Sequence, residues 1–287
     1  MVNRKLQTVI LALGFCMLGC PGETPIADAG PRRDVGQALS QPDAGSWNFT
    51  PFDAGPPPPE GKIEGRIVTA DGEGVANVDI LCCSPSTCLI YTTDETGNYT
   101  YNNIPIGPRK MRTFDHEDRY RSALWHQVVI EAETTGLRRP VVMFEQQVKT
   151  EWAGSSVVLA DGRLELTAPE SGIIFPTEED RSLAAREVTP DQFSPPDIDP
   201  WGEDSTGVIS FLFEPAHVHS EGSIQVTVRG VGAELVGTVY DVWTVDDSTA
   251  EAAKAGVATV NAQGDLVTNA DCEVHALDAL AFVPQGE

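Results

Sequence analysis

From Lys62 onward the chain is a succession of short β-prone runs, each closed by a turn residue. That texture leaves little room for anything but a β fold. Strands are expected at 62–69, 75–83, 88–93, 97–102, 108–114, 124–131 and 140–148. Asp71-Gly72 marks a turn between the first two, and Thr93–Gly97 marks another that leads into the alternating Tyr99 and Tyr101. A second series is expected at 155–160, 163–168, 207–214, 223–229, 234–242, 257–260 and 279–283. Two short helices are expected within it. Thr177 can cap 178–186, with acids in the first turn and Arg186 in the last. Ser248-Thr249-Ala250-Glu251 is a capping box, with a stop at Gly256. Pro190–Gly207 reads as a long loop. The expected class is all-β: two β-sandwich domains, at 62–149 and 150–287, the second carrying short helices.

The first sixty residues have another character. Arg4 and Lys5 precede an apolar run, 9–18, which is half of the roughly 20 residues a membrane-spanning helix needs. This is the pattern of a secretory signal. Its end, Met17-Leu18-Gly19-Cys20, resembles a bacterial lipobox, which implies a signal peptide at 1–19 and lipidation of Cys20. Acyl chains add about 0.8 kcal/mol of membrane affinity per buried methylene, so such an anchor holds. Pro21, rather than Asp, follows the cysteine and points to the outer membrane. Residues 21–60 hold nine prolines and five glycines, above the roughly 25–30% that marks disordered chain. Asp-Ala-Gly recurs there three times, and Pro56–Pro59 favours a stiff polyproline II segment. Residues 20–61 are therefore expected to be a disordered tether. Trp47, Phe49 and Phe52 are unusual in such a segment, and either dock on a domain or form a recognition patch. The sequons at Asn48 and Asn98 are read as chance, and Ile63-Glu64-Gly65-Arg66 as native strand sequence.

Forty-three acidic residues oppose 19 basic ones, for a net charge of −24. Removing residues 1–19 takes away Arg4 and Lys5 and no acid, so the exported chain carries −26. Phosphate repels such a chain, which excludes a nucleic-acid partner. The expected partners are the membrane, through the lipid, and an envelope protein or glycan. Near an anionic membrane the acidic part stands away, or approaches through divalent cations.

Gly65-Arg66-Ile67-Val68, Asp71-Gly72 and Gly74-Val75-Ala76-Asn77-Val78, followed by Thr93–Tyr101 and Ile104-Pro105-Ile106-Gly107, resemble a carboxypeptidase regulatory-like domain over 63–112. The resemblance implies a small transthyretin-like (prealbumin-like) sandwich without an active site of its own. Pro108-Arg109-Lys110 departs from that pattern, where the family has an aromatic strand. In the second half, 162–166, 171–176 and 208–215 faintly resemble a ZU5-like, immunoglobulin-type sandwich, with 258–264 adding a turn typical of such proteins. That resemblance implies interaction rather than catalysis.

Four cysteines remain besides Cys20 and the signal's Cys16. An even number in an oxidising compartment points to disulfides. Cys82 and Cys83 face opposite sides of one strand. If 84–87 is a four-residue hairpin loop, Cys83 lies opposite Cys88, and this pair is the first choice. Cys82 is either a buried thiol or pairs with Cys272, which would staple the two domains. Adjacent cysteines on a strand diverge, so a zinc site at 82–88 is disfavoured.

Other constellations are weaker. His217 and His219 would share one face of a strand and could begin a metal site with His275; a polar strand end after Glu214-Pro215 is preferred. Asp115–Arg119 could offer oxygens to calcium, yet lacks a glycine-punctuated loop. Among Trp125, Trp152, Trp201 and Trp243, only Trp201, in the long loop, is a good candidate for a sugar platform. No nucleophile elbow, His-Glu-x-x-His or phosphate loop occurs. The expected function is a lipid-anchored envelope protein, non-catalytic and without cofactor, acting by binding, adhesion or structural attachment. The runner-up is an anchored hydrolase or carbohydrate-binding accessory factor using His217, Trp201 or acids of 190–207.

Overall fold

A computed structural model describes residues 59–169, 172–177, 181–193, 204–245 and 250–286. The signal, Cys20, nearly all of the tether and Trp201 lie outside the described residues. The amino-terminal half contributes β1 (Glu60–Thr69), β2 (Asp79–Cys83), β3 (Cys88–Thr92), β4 (Asn98–Pro105), β5 (Gly107–Phe114), β6 (Leu124–Val129), β7 (Thr134–Gly136) and β8 (Val141–Met143). They form two four-stranded sheets. One runs β4-β1-β7 with β8 also on β1, and the other runs β3-β2-β5-β6. Between them lie Ile63, Ile67, Ile80, Tyr99, Tyr101, Met111 and Trp125, all at most 5% exposed. Residues two apart along each strand supply this layer, as a pleated strand requires.

Two glycines hold the first turn region against β1. Gly97 has φ +81°, and Gly74 lies so close to the Thr93–Gly97 turn that a Cβ would sit 2.1 Å from the Thr96 carbonyl oxygen. Asp115 organises the connection after β5. It accepts backbone N–H bonds from Glu117, Arg119 and Tyr120 and pairs with the Arg119 guanidinium. Burial works to raise its pKa, but these bonds hold it below the ordinary carboxylate value. Its oxygens are committed to the chain, which accounts for this segment as a structural connector rather than a calcium loop.

The carboxy-terminal half contributes β9 (Thr150–Glu151), β10 (Ser156–Leu159), β11 (Leu164–Thr167), β12 (Ser182–Val188), β13 (Ile209–Glu214), β14 (Gln225–Val228), β15 (Val239–Val245), β16 (Ala252–Val260), β17 (Leu266–Thr268) and β18 (Ala279–Pro284). They form one ten-stranded path, β10-β11-β14-β17-β16-β15-β18-β13-β12-β9. Its end strands approach each other, so the sheet rolls around a single core that includes Leu166, Leu183, Phe211, Phe213, Val242 and Phe282.

The two expected helices are not formed as such. Residues 182–188 are β12 and residues 252–260 are β16, and the only helical elements among the described residues are three short 3-10 turns. The reason is visible in β12. Leu183 and Ala185 face the rolled core, while Val188, on the opposite parity, packs toward the amino-terminal half. A strand buried on both faces shows no alternation, and Leu-Ala-Ala-Arg-Glu has high helix propensity. Pairing with β13 and β9 overrides that propensity.

The same double burial joins the halves. The outer faces of β12, β13, β15 and β18 meet Leu124 and Phe144 in a second, smaller core with Val188, Phe193, Leu212, Val245, Ala279 and Ala281. At its edge Arg121 crosses over. Its Nε donates to the Phe213 carbonyl at 2.6 Å and its Nη2 to the Asp278 carbonyl at 2.7 Å.

Two outcomes test this account of the amino-terminal half. Gly74→Ala should lower stability by about 1–3 kcal/mol in urea unfolding, because backbone must move to admit the methyl. Asp115 should contribute stability that is present above its ordinary pKa and lost as pH falls through the lowered value. Asp115→Asn should therefore flatten the acid limb of the stability profile.

Candidate functional site

Three surfaces of the described residues combine exposure with chemistry. The first is a groove of about 420 Å³ that gathers His217, His219, His275 and Glu273, with Thr244 on its wall. The path of the chain there is irregular. His217 has φ +65° and Val218 plugs the rolled core at 0% exposure, so the two histidines do not alternate as on a plain strand. His219 bridges to Ile174 on one side and Ala276 on the other. The groove thus brings in His275, the distant ligand envisaged above.

One nitrogen of each ring is already engaged by the chain. Arg112, a donor only, contacts His217 Nε2, which is therefore the acceptor. His219 Nδ1 donates to the His217 carbonyl at 3.2 Å, and His275 Nδ1 donates to the Gly222 carbonyl at 3.2 Å. Among the described residues no group of three or more His, Cys, Asp or Glu side chains is placed to hold a metal ion. His217 and His219 share a groove without converging.

The second surface is β3. It ends the sheet β3-β2-β5-β6, so one side of its backbone has no strand neighbour within that sheet. All five of its residues, Cys-Leu-Ile-Tyr-Thr, are exposed, with Ile90 at 65%. None is charged. Natural edge strands usually carry lysine, proline or a bulge that blocks further pairing, and β3 carries none of these. A disulfide between Cys83 and Cys88 closes its hairpin, across the pair that the register places opposite each other. The loop is tightened by Ser84 N–H donating to the Thr87 carbonyl at 2.8 Å. The exposure of Leu89-Ile90-Tyr91 is not legible from sequence, because an apolar run reads alike at an edge and in a centre.

The third surface is a groove of about 610 Å³ beside Arg66 and Arg138.

The remaining cysteines decide between the two alternatives for Cys82, in favour of the buried thiol. Cys82 and Cys272 are free and buried in separate cores, so no Cys82–Cys272 bridge staples the halves. Burial pushes the Cys82 thiol up to about 11, against a small pull from Arg109. Burial, with Asp271 and Glu273 adding to it, pushes Cys272 to about 11. The tryptophan platform is also reduced. Trp125 and Trp152 are core residues, and Trp243 packs against the core between the halves.

No protein-family model matches the chain, and no curated protein matches it. Solved structures with some likeness include a streptococcal ancillary pilin (8% identity, 79% of this chain and 53% of that one, TM-score 0.25). The major pilin SpaD from Corynebacterium diphtheriae is another (10%, 78% and 56%, TM-score 0.25). A DUF3823 family protein from Parabacteroides merdae is a third (10%, 80% and 100%, TM-score 0.23). The chain spans about half the length of the two pilins. At such scores the chains do not superpose as wholes.

The thiols provide a check. In the folded protein Cys82 and Cys272 should alkylate at pH 8 at least about 100-fold more slowly than free cysteine. Mass mapping should find them labelled only after denaturation.

Proposed function

We propose that this chain is a lipid-anchored cell-envelope protein that binds a partner through the edge of its amino-terminal sandwich. The observation that carries the reading is β3: five exposed, uncharged residues at the end of a sheet, held in extended form by the Cys83–Cys88 bridge. An extended segment of another envelope protein adds to such an edge by main-chain hydrogen bonds, while side-chain contacts select it. Both free thiols of the described residues are buried and inert, which suits an oxidising compartment. No helix among the described residues is long and apolar enough to cross a membrane. In this reading attachment comes from the lipobox cysteine, Cys20, and the acidic Pro/Gly-rich tether holds the β-rich body away from an anionic surface. The outer membrane is the site proposed, from Pro21 after the cysteine.

A second reading, an anchored hydrolase, has one observation in its favour, the gathering of His217, His219, His275 and Glu273 in one groove. Arg112 takes the acceptor nitrogen of His217, so this ring has no lone pair left for a metal or a substrate proton, and that favours the binding reading.

Two experiments test the proposal. Metabolic labelling with a lipid precursor should mark the wild-type protein and not Cys20→Ala; equal labelling removes the anchor. A photo-reactive residue at position 90 should give a discrete adduct with an envelope protein on intact cells, abolished by Leu89→Lys. The same reagent at Val148, which is 96% exposed, should not. Indistinguishable adducts at the two positions overturn the β3 surface.

A further inference from the structure

The hydrogen bonds of the β2–β3 hairpin fix which way each peptide group of β3 points. Ser84 N–H donates to the Thr87 carbonyl at 2.8 Å at one end, and Thr93 N–H donates to the Val78 carbonyl at 2.9 Å at the other. Both pairs continue the register that sets Cys83 opposite Cys88 and Asp79 opposite Thr92. Bonded and non-bonded pairs alternate along an antiparallel ladder. Cys82/Leu89 and Ile80/Tyr91 are therefore bonded pairs, whereas Cys83/Cys88, Leu81/Ile90 and Asp79/Thr92 are not. The short Cα separation across Cys83 and Cys88, 4.0 Å, agrees with this phase. The N–H and C=O groups of Cys88, Ile90 and Thr92 consequently point away from β2, on the side where β3 has no strand neighbour.

These groups are symmetric about Ile90. A second β3, laid antiparallel on a two-fold axis through Ile90, sets Ile90 opposite its counterpart and Cys88 opposite the copy's Thr92, in both directions. Every outward donor and acceptor of both strands is then matched. A shift of two residues would instead leave Thr92 against the hairpin loop. Leu89 and Tyr91, each 39% exposed, come opposite each other as the closely spaced, non-bonded pairs, an arrangement that favours aromatic–aliphatic contact. A two-fold contact of this kind uses one self-complementary patch on both chains.

Charge restricts where two copies can meet. With 43 acids against 19 bases, most faces of this chain repel their own copy, and β3 is uncharged. Asp79, which faces β3 across the hairpin, accepts from the Thr92 hydroxyl at 2.6 Å and is paired with His116 Nε2 at 2.7 Å. Asp94 and Glu95 follow β3 at one end, and the antiparallel arrangement brings the copy's uncharged loop, Ser84–Thr87, toward that end. The acidic turns of the two copies are thus kept apart.

We propose that the occupant of the β3 edge is β3 of a second copy of this chain, in a two-fold antiparallel pair centred on Ile90. This rests on the edge-strand reading and names its partner. Five paired residues make a small interface, so the dimer is weak in solution, and anchoring copies in one membrane raises their effective concentration.

The test co-expresses two differently tagged copies of the full chain, each with a photo-reactive residue at position 90, on intact cells. Adducts of twice the chain mass carrying both tags are expected, mapped to residues 88–92 of the second copy and reduced at least about tenfold by Leu89→Lys. In sedimentation of the purified full chain with Cys20→Ala, Ile90→Lys and Ile90→Glu should each weaken dimerisation, with unfolding midpoints unchanged. Their equimolar mixture should dimerise at least about tenfold more tightly than either alone, because position 90 meets itself. Absence of two-tag adducts, or a mixture no tighter than its components, overturns the proposal. If position 90 instead labels a different envelope protein, the second copy is overturned and the edge-strand reading stands; if it labels nothing, both fall.

Discussion

Arg121 is a cation with nowhere to lose its charge. It is 7% exposed, and a guanidinium does not deprotonate in a protein, so everything around it has to accommodate a positive centre in a poorly hydrated place. Two carbonyls, of Phe213 and Asp278, take its N–H groups. The carboxylates of Asp278 and Glu214 supply the opposing field, while burial pushes against the charge on both Arg121 and Glu214. Lys149 and Arg186 also face Glu214, and Gln147 N–H donates to it at 3.3 Å. A buried ion cluster is poor evidence of net stability, but it tolerates few geometries. Here it ties a loop of the amino-terminal half to the ends of β13 and β18, and so sets how the two halves meet.

The apolar junction depends on that setting. Leu124, Phe144, Leu212, Val245 and their neighbours bury each other only when the outer faces of β12, β13, β15 and β18 lie against the first sandwich. Fully burying each large side chain is worth about 1.5–3 kcal/mol, so the small core supplies the attraction and Arg121 the register. The junction leaves the β3 edge outside it. The proposed β3 contact therefore sits on a body whose two halves are held as one.

Much of this was legible in the sequence, and the limits have physical causes. The first six strands overlap the expected runs, because their alternation and turns are local signals, whereas β7 had no expected counterpart and β8 covers only 141–143 of the expected 140–148. The Cys83–Cys88 pair was accessible for the same reason: four intervening residues and a hairpin determine it. What failed was what depends on long-range burial. β12 and the start of β16 read as helices because strands covered on both faces lose the period of two. Cys82 and Cys272 could be paired on paper, yet they lie in different cores. Arg121 carried no signal, since a lone arginine between Tyr120 and Ser122 reads as surface. The bow of the chain at Leu137–Pro140 was equally hidden, because it arises from the pairing of β1 with β7 and β8, about seventy residues away. The candidate histidines did meet in one groove, but the Arg112 contact that occupies His217 joins residues 105 positions apart and leaves no local signal.

The central claim is that Arg121 and the small core make the β-rich body a single cooperative unit. Differential scanning calorimetry of the intact protein tests it directly. The account predicts one endotherm with equal calorimetric and van't Hoff enthalpies, separating into two in Arg121→Ala as the halves lose their tie. Two endotherms in the unaltered protein, or one unshifted endotherm in the variant, would contradict it.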